Sequence, residues 1–358
     1  MGIDVLLNKK AEWLKGEGPQ ADFVMSTRIR LARNISGFPF PRKATIDEKK
    51  QIINLVEKVL KNSNWTSEDS LFIRMNELND IDRYFLVERH LISPEMAAMG
   101  EGSAVAITRK EMISIMINEE DHLRIQVIKS GFLLDDVWDV ANALDDEFDK
   151  GLDYAFSSRF GYLTSCPTNV GTGIRVSVMM HLPGLVYSKQ INKILHAAIK
   201  LGLAVRGLYG EGSEALGNLF QISNQSSLGI SEADIIKSLN KIINQIITHE
   251  RNARMNFITN NLKLVEDKVG RALGILRNAR IISSKESIGL FSTLRMGIDL
   301  GLIRGLERST INNLMIITQP AHLQRYYGAV LDPKERDIKR ANLIRDHLKS
   351  AIWGKPEI

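Results

Sequence analysis

The chain has 358 residues, 44% hydrophobic and 25% charged, the balance of a soluble globular protein long enough for about two domains. No apolar run approaches the roughly 18 residues of a membrane span, and the first 20 residues are neither a signal peptide nor an Arg-rich transit sequence, so cytoplasmic residence is expected. Cys166 is the single cysteine, which excludes an internal disulfide framework and Cys-rich zinc sites.

The formal charge of +5 is unevenly spread. Residues 1–230 carry 26 Lys/Arg against 29 Asp/Glu, a net of −3, whereas residues 231–358 carry 21 against 13, a net of +8. A solvated helical surface and a surface that receives anions both fit that basic excess.

Along the chain, short β-branched or alternating runs recur from Phe23 to about Ser226: FVMSTRIRLA, LFIRMNEL, SAVAITR, MISIMINEEDHLRIQVI, IRVSVMMHLP and LAVRGLYG. Helical patterns separate them over Ile46 to Leu60, Phe132 to Phe148 and Ser188 to Leu201, which predicts an α+β fold with a largely antiparallel sheet flanked by helices. After Gly229 strand signals stop. Ser231 followed by Asp234 opens a helix with Ile235, Leu239, Ile242, Ile243, Ile246 and Ile247 at helical spacing. Further helices are expected near Val265 to Leu276, Lys285 to Ile303 and Thr310 to Ile317, and a last one from Asp332 and Pro333 to about Lys349. The division expected is a catalytic domain over 1–252 and a helical domain over 253–358.

Side chains two apart on a strand share a face, so Ser26, Arg28 and Arg30 point together, as do Arg175, Ser177 and Met179. The same alternation groups Glu120, His122 and Arg124. Neighbouring guanidinium groups repel unless an anion lies between them, so Arg28, Arg30, Arg124, Arg175 and Arg206 converging on one face could grip a triphosphate. Standard nucleotide motifs are missing: there is no GxxxxGK[ST] loop, AVAIT is not followed by HRD or DFG, and Gly210, Gly212 and Ala215 form only a weak G-x-G-x-x-A match. If a nucleotide binds, side chains hold it.

The strings STRIR (Ser26 to Arg30), NEEDHLR (Asn118 to Arg124), CPTNVGTGIR (Cys166 to Arg175) and RGLYGE (Arg206 to Glu211) resemble, in order, the catalytic segments of the phosphagen kinases such as arginine and creatine kinase. Within that superfamily the chain is most similar to the bacterial protein-arginine kinases of the McsB type. Only 25 residues precede Ser26, where phosphagen kinases carry a helical domain that closes over a free guanidino substrate, and RDIKRA (Arg336 to Ala341) resembles the RDxxRA phosphoarginine-binding motif. The resemblance implies a glutamine-synthetase-like antiparallel sheet and ATP-dependent phosphorylation of protein arginines.

By the same resemblance, Glu120 is the base and Glu211 its partner, with Glu119 the fallback for the base. ATP would be held by Ser26, Thr27, Arg28, Ile29, Arg30, His90, Arg124, Arg175, Val176, Ser177, Val178, Met179, Arg206, Gly207, Leu208, Tyr209, Gly210 and Glu211. Met179 departs from the histidine common in arginine kinases. Mg²⁺ is expected to arrive on ATP without a direct protein ligand. Cys166 would abut the substrate guanidinium in a tuning role, its oxidation or alkylation inhibiting the enzyme. Arg336, Asp337 and Arg340 would bind phosphoarginine, the arginines answering the phosphate and Asp337 the guanidinium. The expected partners are arginine-bearing protein substrates, including a stress-response repressor, an activating adaptor, a Clp unfoldase and possibly a second copy of the chain. Membrane and nucleic acid are not expected as direct ligands. Two other readings fit parts of the sequence: a phosphagen kinase for a free guanidino compound, and a nucleic-acid or adaptor module with a silent kinase remnant.

Overall fold

The computed structural model describes residues 3–7, 9–63, 70–207 and 216–355. Eight strands form one sheet: β1 (Val24–Arg33), β2 (Ser70–Arg74), β3 (Ala104–Thr108), β4 (Ile113–Ile117), β5 (Leu123–Ser130), β8 (Ile174–His181), β9 (Leu203–Arg206) and β10 (Leu219–Asn224). Two residues each of β6 (Phe156–Ser157) and β7 (Gly161–Tyr162) make a separate small hairpin. The large sheet runs β2-β3-β4-β5-β1-β8-β10-β9 with every neighbouring pair antiparallel, as the alternating runs predicted.

An antiparallel sheet can bury one face and keep the other polar, and this one does both across its centre. One face carries Ile29, Leu31, Ile125, Val127, Val176, Val178 and Ile222 into a core with the helices Ile46–Asn62, Leu134–Asp149 and the first turns of Glu232–Asn278. The helix Ile46–Asn62 starts at a capping box in which Thr45 Oγ1 accepts from the Glu48 N–H and the Glu48 carboxylate accepts from the Thr45 N–H. The opposite face is covered only at its ends. Toward β2, Phe85, Leu86, Leu91, Ile92 and Met96 pack on Val105, Ile107 and Met116. Toward the start of β1, Trp13 and Leu14 join Ile128, Met179 and the C-terminal helices.

Three features were not legible in the periodicity. NEEDHLR is not strand throughout: residues 118–122 are the turn between β4 and β5, closed by the Asn118 N–H donating to the His122 carbonyl at 2.9 Å, with Asn118 at φ 58°. The strand β10 and the helices Asp80–Glu88 and Pro320–Tyr327 appear where no element was expected. Two-residue strands β11 (Ile303–Arg304) and β12 (Ile352–Trp353) pair inside the helical region, so strand structure does not end at Gly229.

The C-terminal part is otherwise helical, built from Glu232–Asn278, Ser284–Asp299, Arg308–Ile317, Pro320–Tyr327 and Pro333–His347. The expected boundary at 252/253 falls inside the first of these, whose one non-helical residue is Asn261 at φ −140°. Buried polar side chains join this part to the sheet. Arg295 donates to the Ala21 and Asp22 carbonyls, and Arg254 pairs with Glu250 and Asp299 while donating to the His181 carbonyl. Glu88, at the end of its helix, accepts the Ala321 and His322 N–H groups at 2.8 Å each, capping the helix Pro320–Tyr327 from outside. Glu88→Ala strands those two donors in a buried contact, and urea unfolding is expected to show a loss of about 1–3 kcal/mol; an unchanged midpoint would refute the role given to this contact.

Candidate active site

The register of the central strands places the arginines. Across β1 and β8, Arg30 lies opposite Arg175, Arg28 opposite Ser177 and Ser26 opposite Met179. Across β1 and β5, Arg30 faces Gln126 and Ala32 faces Arg124, and on the far side Arg206 lies opposite Gln221 and Ser223 opposite Ser177. Directly opposed residues share a face, so Arg28, Arg30, Arg124, Arg175 and Arg206 all sit on the polar side of the sheet.

Arg124 is paired with an acid, Glu119, whereas Arg28 and Arg30 have no acid partner among the described residues. Arg28 donates to Gln221 and to Ser177 Oγ, and Arg175 donates to Ser223 Oγ at 3.1 Å, all neutral acceptors. Arg30 makes no hydrogen bond or ion pair with any described residue, and its Nε is buried. Burial and then the charges of Arg124 and Arg175 push the Arg28 guanidinium down to about 9, and burial, then Arg28, Arg124 and Arg175, hold Arg30 well below its ordinary value. Uncompensated positive charge of this kind fits a polyanion such as a nucleotide triphosphate.

His90 enters this face from the loop after Asp80–Glu88, at φ 59°, its carbonyl accepting from Gln126 Nε2 at 2.8 Å. Burial, then Arg28 and Arg30, lower its imidazole to about 3, so it is neutral near pH 7. His90 lines a narrow cleft with Trp13, Ser26, Arg28, Ile128, Ser177, Met179 and Gln221. Ser26, Arg28, His90, Ser177 and Met179 are thus together, as the sequence placed them. Thr27, Ile29, Val176 and Val178 are corrections: their side chains point to the opposite face, where Thr27 Oγ1 donates to the Gly131 carbonyl at 2.7 Å and the other three fill the core. They build the platform. Gly207 follows β9; Leu208, Tyr209, Gly210 and Glu211 lie outside the described residues.

The acid pair at the turn divides its work. Glu119 is buried and accepts two bonds from Arg124 Nη1, at 2.8 and 3.0 Å, one from Ser93 Oγ at 2.5 Å and one from the Glu120 N–H. Burial would raise its carboxyl, but Arg124 and these hydrogen bonds hold it below the usual range. Glu120 is half-buried and accepts no hydrogen bond from any described residue; burial, then the charges of Asp121 and Glu119, raise its carboxyl above the ordinary range. Strand alternation was the wrong reason to prefer Glu120, because it sits in a turn and the acid bonded to Arg124 is Glu119. Its unbonded carboxylate is the better reason.

Asp121 brings the Cys166 segment to this turn. Its Oδ1 accepts from the Ser165 N–H and from Asn34 Nδ2, both at 2.6 Å, so Glu120 and Cys166 are each one residue from the same contact. Cys166 Sγ lies 3.0 Å from Thr168 Oγ1 and is half-exposed. Sequence reasoning missed Asp121, Ser93, Gln221, Ser223 and Trp13. The alternation of LFQISN was the available signal for Gln221 and Ser223.

The C-terminal triad is split. Arg340 is 1% exposed, with Nε donating to the Thr318 carbonyl at 2.8 Å and Nη1 to the Ile282 carbonyl at 2.9 Å and to Asp337. It braces three helix ends. Arg336 and Asp337 remain half-buried.

Comparison with known proteins agrees with this arrangement. Residues 51–253 match the family "ATP:guanido phosphotransferase, C-terminal catalytic domain", and residues 262–355 match "Protein-arginine kinase McsB C-terminal domain". The chain is 51% identical over 341 residues to a protein-arginine kinase of Geobacillus sp. (strain WCH70), covering 95% of this chain and 94% of that one. It is also 51% identical over 337 residues to that of Halalkalibacterium halodurans, covering 94% and 95%. The chain belongs to the protein-arginine kinase family. Among solved structures, it resembles the duplicated taurocyamine kinase of Schistosoma mansoni with bound transition state analog components, at a TM-score of 0.59 and 26% identity. That match covers 66% of this chain and 34% of the duplicated one. Lombricine kinase, at 24% identity and a TM-score of 0.57 over 69% of this chain and 70% of its own, shares the fold.

The enzyme is thus a phosphotransferase with arginines crowded on one face of its sheet, and charge repulsion there costs stability when no anion is bound. Arg30→Met keeps most of the aliphatic stem and removes one charge. Thermal denaturation is expected to show an unliganded Tm equal to or above wild type and no rise on adding ATP; a lower Tm together with a wild-type ATP shift would overturn the assignment.

Proposed function

We propose that this protein-arginine kinase holds ATP along the polar face of the sheet and uses Glu120 as the base that activates the substrate guanidinium. The observation that carries the reading is the pairing of two buried arginines, Arg28 and Arg30, that have no acid partner among the described residues with an unbonded, partly desolvated carboxylate, Glu120, in a turn of the same sheet. A guanidinium has a pKa above about 12 and is a poor nucleophile, so its terminal nitrogen must be oriented and must lose a proton as the P–N bond forms. In the proposed step the nitrogen attacks the γ-phosphorus, the bond from phosphorus to the ADP oxygen breaks, and the proton passes to Glu120. Arg28, Arg30, Arg124, Arg175 and Arg206 would stabilise charge on the transferring group and on ADP. Glu119 positions Arg124. Glu211, by family resemblance, would grip the guanidinium from the other side, and Cys166 would lie against it.

Mg²⁺ would be held by ATP itself, with no direct protein ligand, and would supply charge neutralisation at the phosphates. No group of three His, Cys, Asp or Glu suited to a metal is gathered among the described residues. By the same family resemblance we extend the reading to proteins marked for a Clp-type protease, a stress-response repressor among them, with an activating adaptor.

Incubation with ATP, magnesium and an arginine-rich protein, followed by mass spectrometry under non-acidic conditions, tests the reaction. Phosphoarginine on the protein supports it; phosphorylation of free arginine instead would favour a phosphagen kinase. Glu120→Gln is expected to lower kcat by at least about 100-fold with ATP binding intact. Because its carboxyl is raised and must be ionised to accept a proton, the rate should fall with decreasing pH at a value above the roughly 4.3 of an ordinary glutamate. A flat acid limb or an active glutamine variant would exclude Glu120 as the base.

Phosphoarginine binding is proposed at Arg336 and Asp337. Arg340 contributes there by orienting Asp337, with which it pairs. Asp337→Ala is expected to abolish phosphoarginine binding in calorimetry, and any activation by it, while ATP binding stays at wild-type strength; unchanged phosphoarginine affinity would reject the site.

A further inference from the structure

Trp13 lies outside every motif the sequence analysis singled out, yet it closes one end of the polar face. It belongs to the short 3-10 turn Glu12–Leu14, which is fixed on both sides: the Glu12 N–H donates to the Lys110 carbonyl at 3.0 Å, and Asn312 Nδ2 donates to the Leu14 carbonyl at 3.3 Å. The indole is 2% exposed and meets the His90 ring edge to face, centroids 5.1 Å apart at 74°. Its Nε1–H is buried and has no acceptor among the described residues. Trp lacks any acceptor function and its N–H normally finds a partner when buried, so an unanswered one is a departure that asks for an explanation.

The explanation lies in what Trp13 lines. This narrow cleft has apolar walls from Ile128 and Met179 and polar groups from Ser26, Ser177, Gln221 and His90. That mixture suits a flat heteroaromatic ring with acceptors on its edge. The cleft begins at Ser26, and Arg30, opposite Arg175, lies four residues along the same strand, about 13 Å at the usual rise. An extended nucleotide separates its base from its terminal phosphate by a comparable length. With the phosphates on the arginines, the base reaches Trp13.

We infer that the Trp13 Nε1–H donates a hydrogen bond to a ring nitrogen of the adenine base, making this N-terminal turn part of the nucleotide site. The inference rests on the ATP reading for the identity of the ligand, and it assigns a binding residue contributed from outside the strands. The turn also packs with the C-terminal helices, so the base would touch a residue that the two parts of the molecule hold jointly.

Binding of ADP to the ¹⁵N-labelled full chain, followed on the indole N–H signals, tests this without requiring turnover. The chain has four tryptophans, and Trp13→Phe assigns the signal. The Trp13 N–H is expected to shift downfield with ADP and to stay in place with inorganic tripolyphosphate, which has no base. Among the 1-, 3- and 7-deaza analogues of ADP, one should bind wild type about threefold to tenfold more weakly than ADP, the range of one neutral hydrogen bond, and Trp13→Phe should not distinguish that analogue from ADP. An unmoved Trp13 signal at ADP saturation, or three analogues that bind wild type as ADP does, overturns the inference; both are read on wild type, so they stand even if Trp13→Phe does not fold. ADP binding that ignores Trp13 leaves the kinase reading intact, whereas no nucleotide binding at all removes both.

Discussion

The structure is organised around the buried positive charge of Arg28 and Arg30, which no acid among the described residues pairs with. Elsewhere buried arginines are matched: Arg33 by Asp145, Arg89 by Glu111, Arg254 by Glu250 and Asp299. Removing one partner of such a pair leaves a buried charge and costs several kcal/mol, so the fold meets each with an acid. On the polar face it does so for Arg124, through Glu119, but Arg28 reaches only neutral oxygens and Arg30 bonds to none of the described residues. Folding tolerates that arrangement because the hydrophobic contacts of the other face hold the strands in register. The register then imposes the proximity of the arginines.

The turn between β4 and β5 shows how a pair of adjacent carboxylates can be given different chemistry. Glu119 spends its lone pairs on Arg124, Ser93 and a backbone N–H, which keeps it ionised and fixed. Glu120, one residue on, has the burial without the partners, so its proton affinity rises. Two acids in contact with one environment are pushed apart in pKa, and the one pushed upward is suited to accept a proton. Asp121 completes the unit by tethering the segment that carries Cys166.

The C-terminal helices are not an appendage. Arg295 and Arg254 bond to carbonyls before β1 and at the end of β8, Glu88 caps the helix Pro320–Tyr327, and Trp13 and Leu14 are packed between the two parts. A helix that runs from Glu232 to Asn278 crosses from one part to the other. The charges of Arg340 and Arg336 act on the Glu88 carboxylate, two residues before His90 in the nucleotide cleft.

What the residues alone determined was local and periodic: strands from alternation, helices from 3.6-residue spacing, caps at Ser231 and Asp332, and a set of arginines whose spacing within β1 and β8 puts them on one side. The strings around Glu120, Cys166 and Arg206 carried the family, because rare residue types in a fixed order survive without any knowledge of shape. Tertiary structure decided the rest. Which strands are neighbours determines that Arg30 meets Arg175 and that Gln221 answers Arg28, and neither follows from distance along the chain. Alternation misread Glu120 because a run of polar residues with strand-like spacing can equally be a tight turn, and the difference lies in the β4–β5 pairing on either side. Trp13 stayed invisible for the same reason: a lone aromatic in a short turn has no period, and only folding shows what its N–H faces.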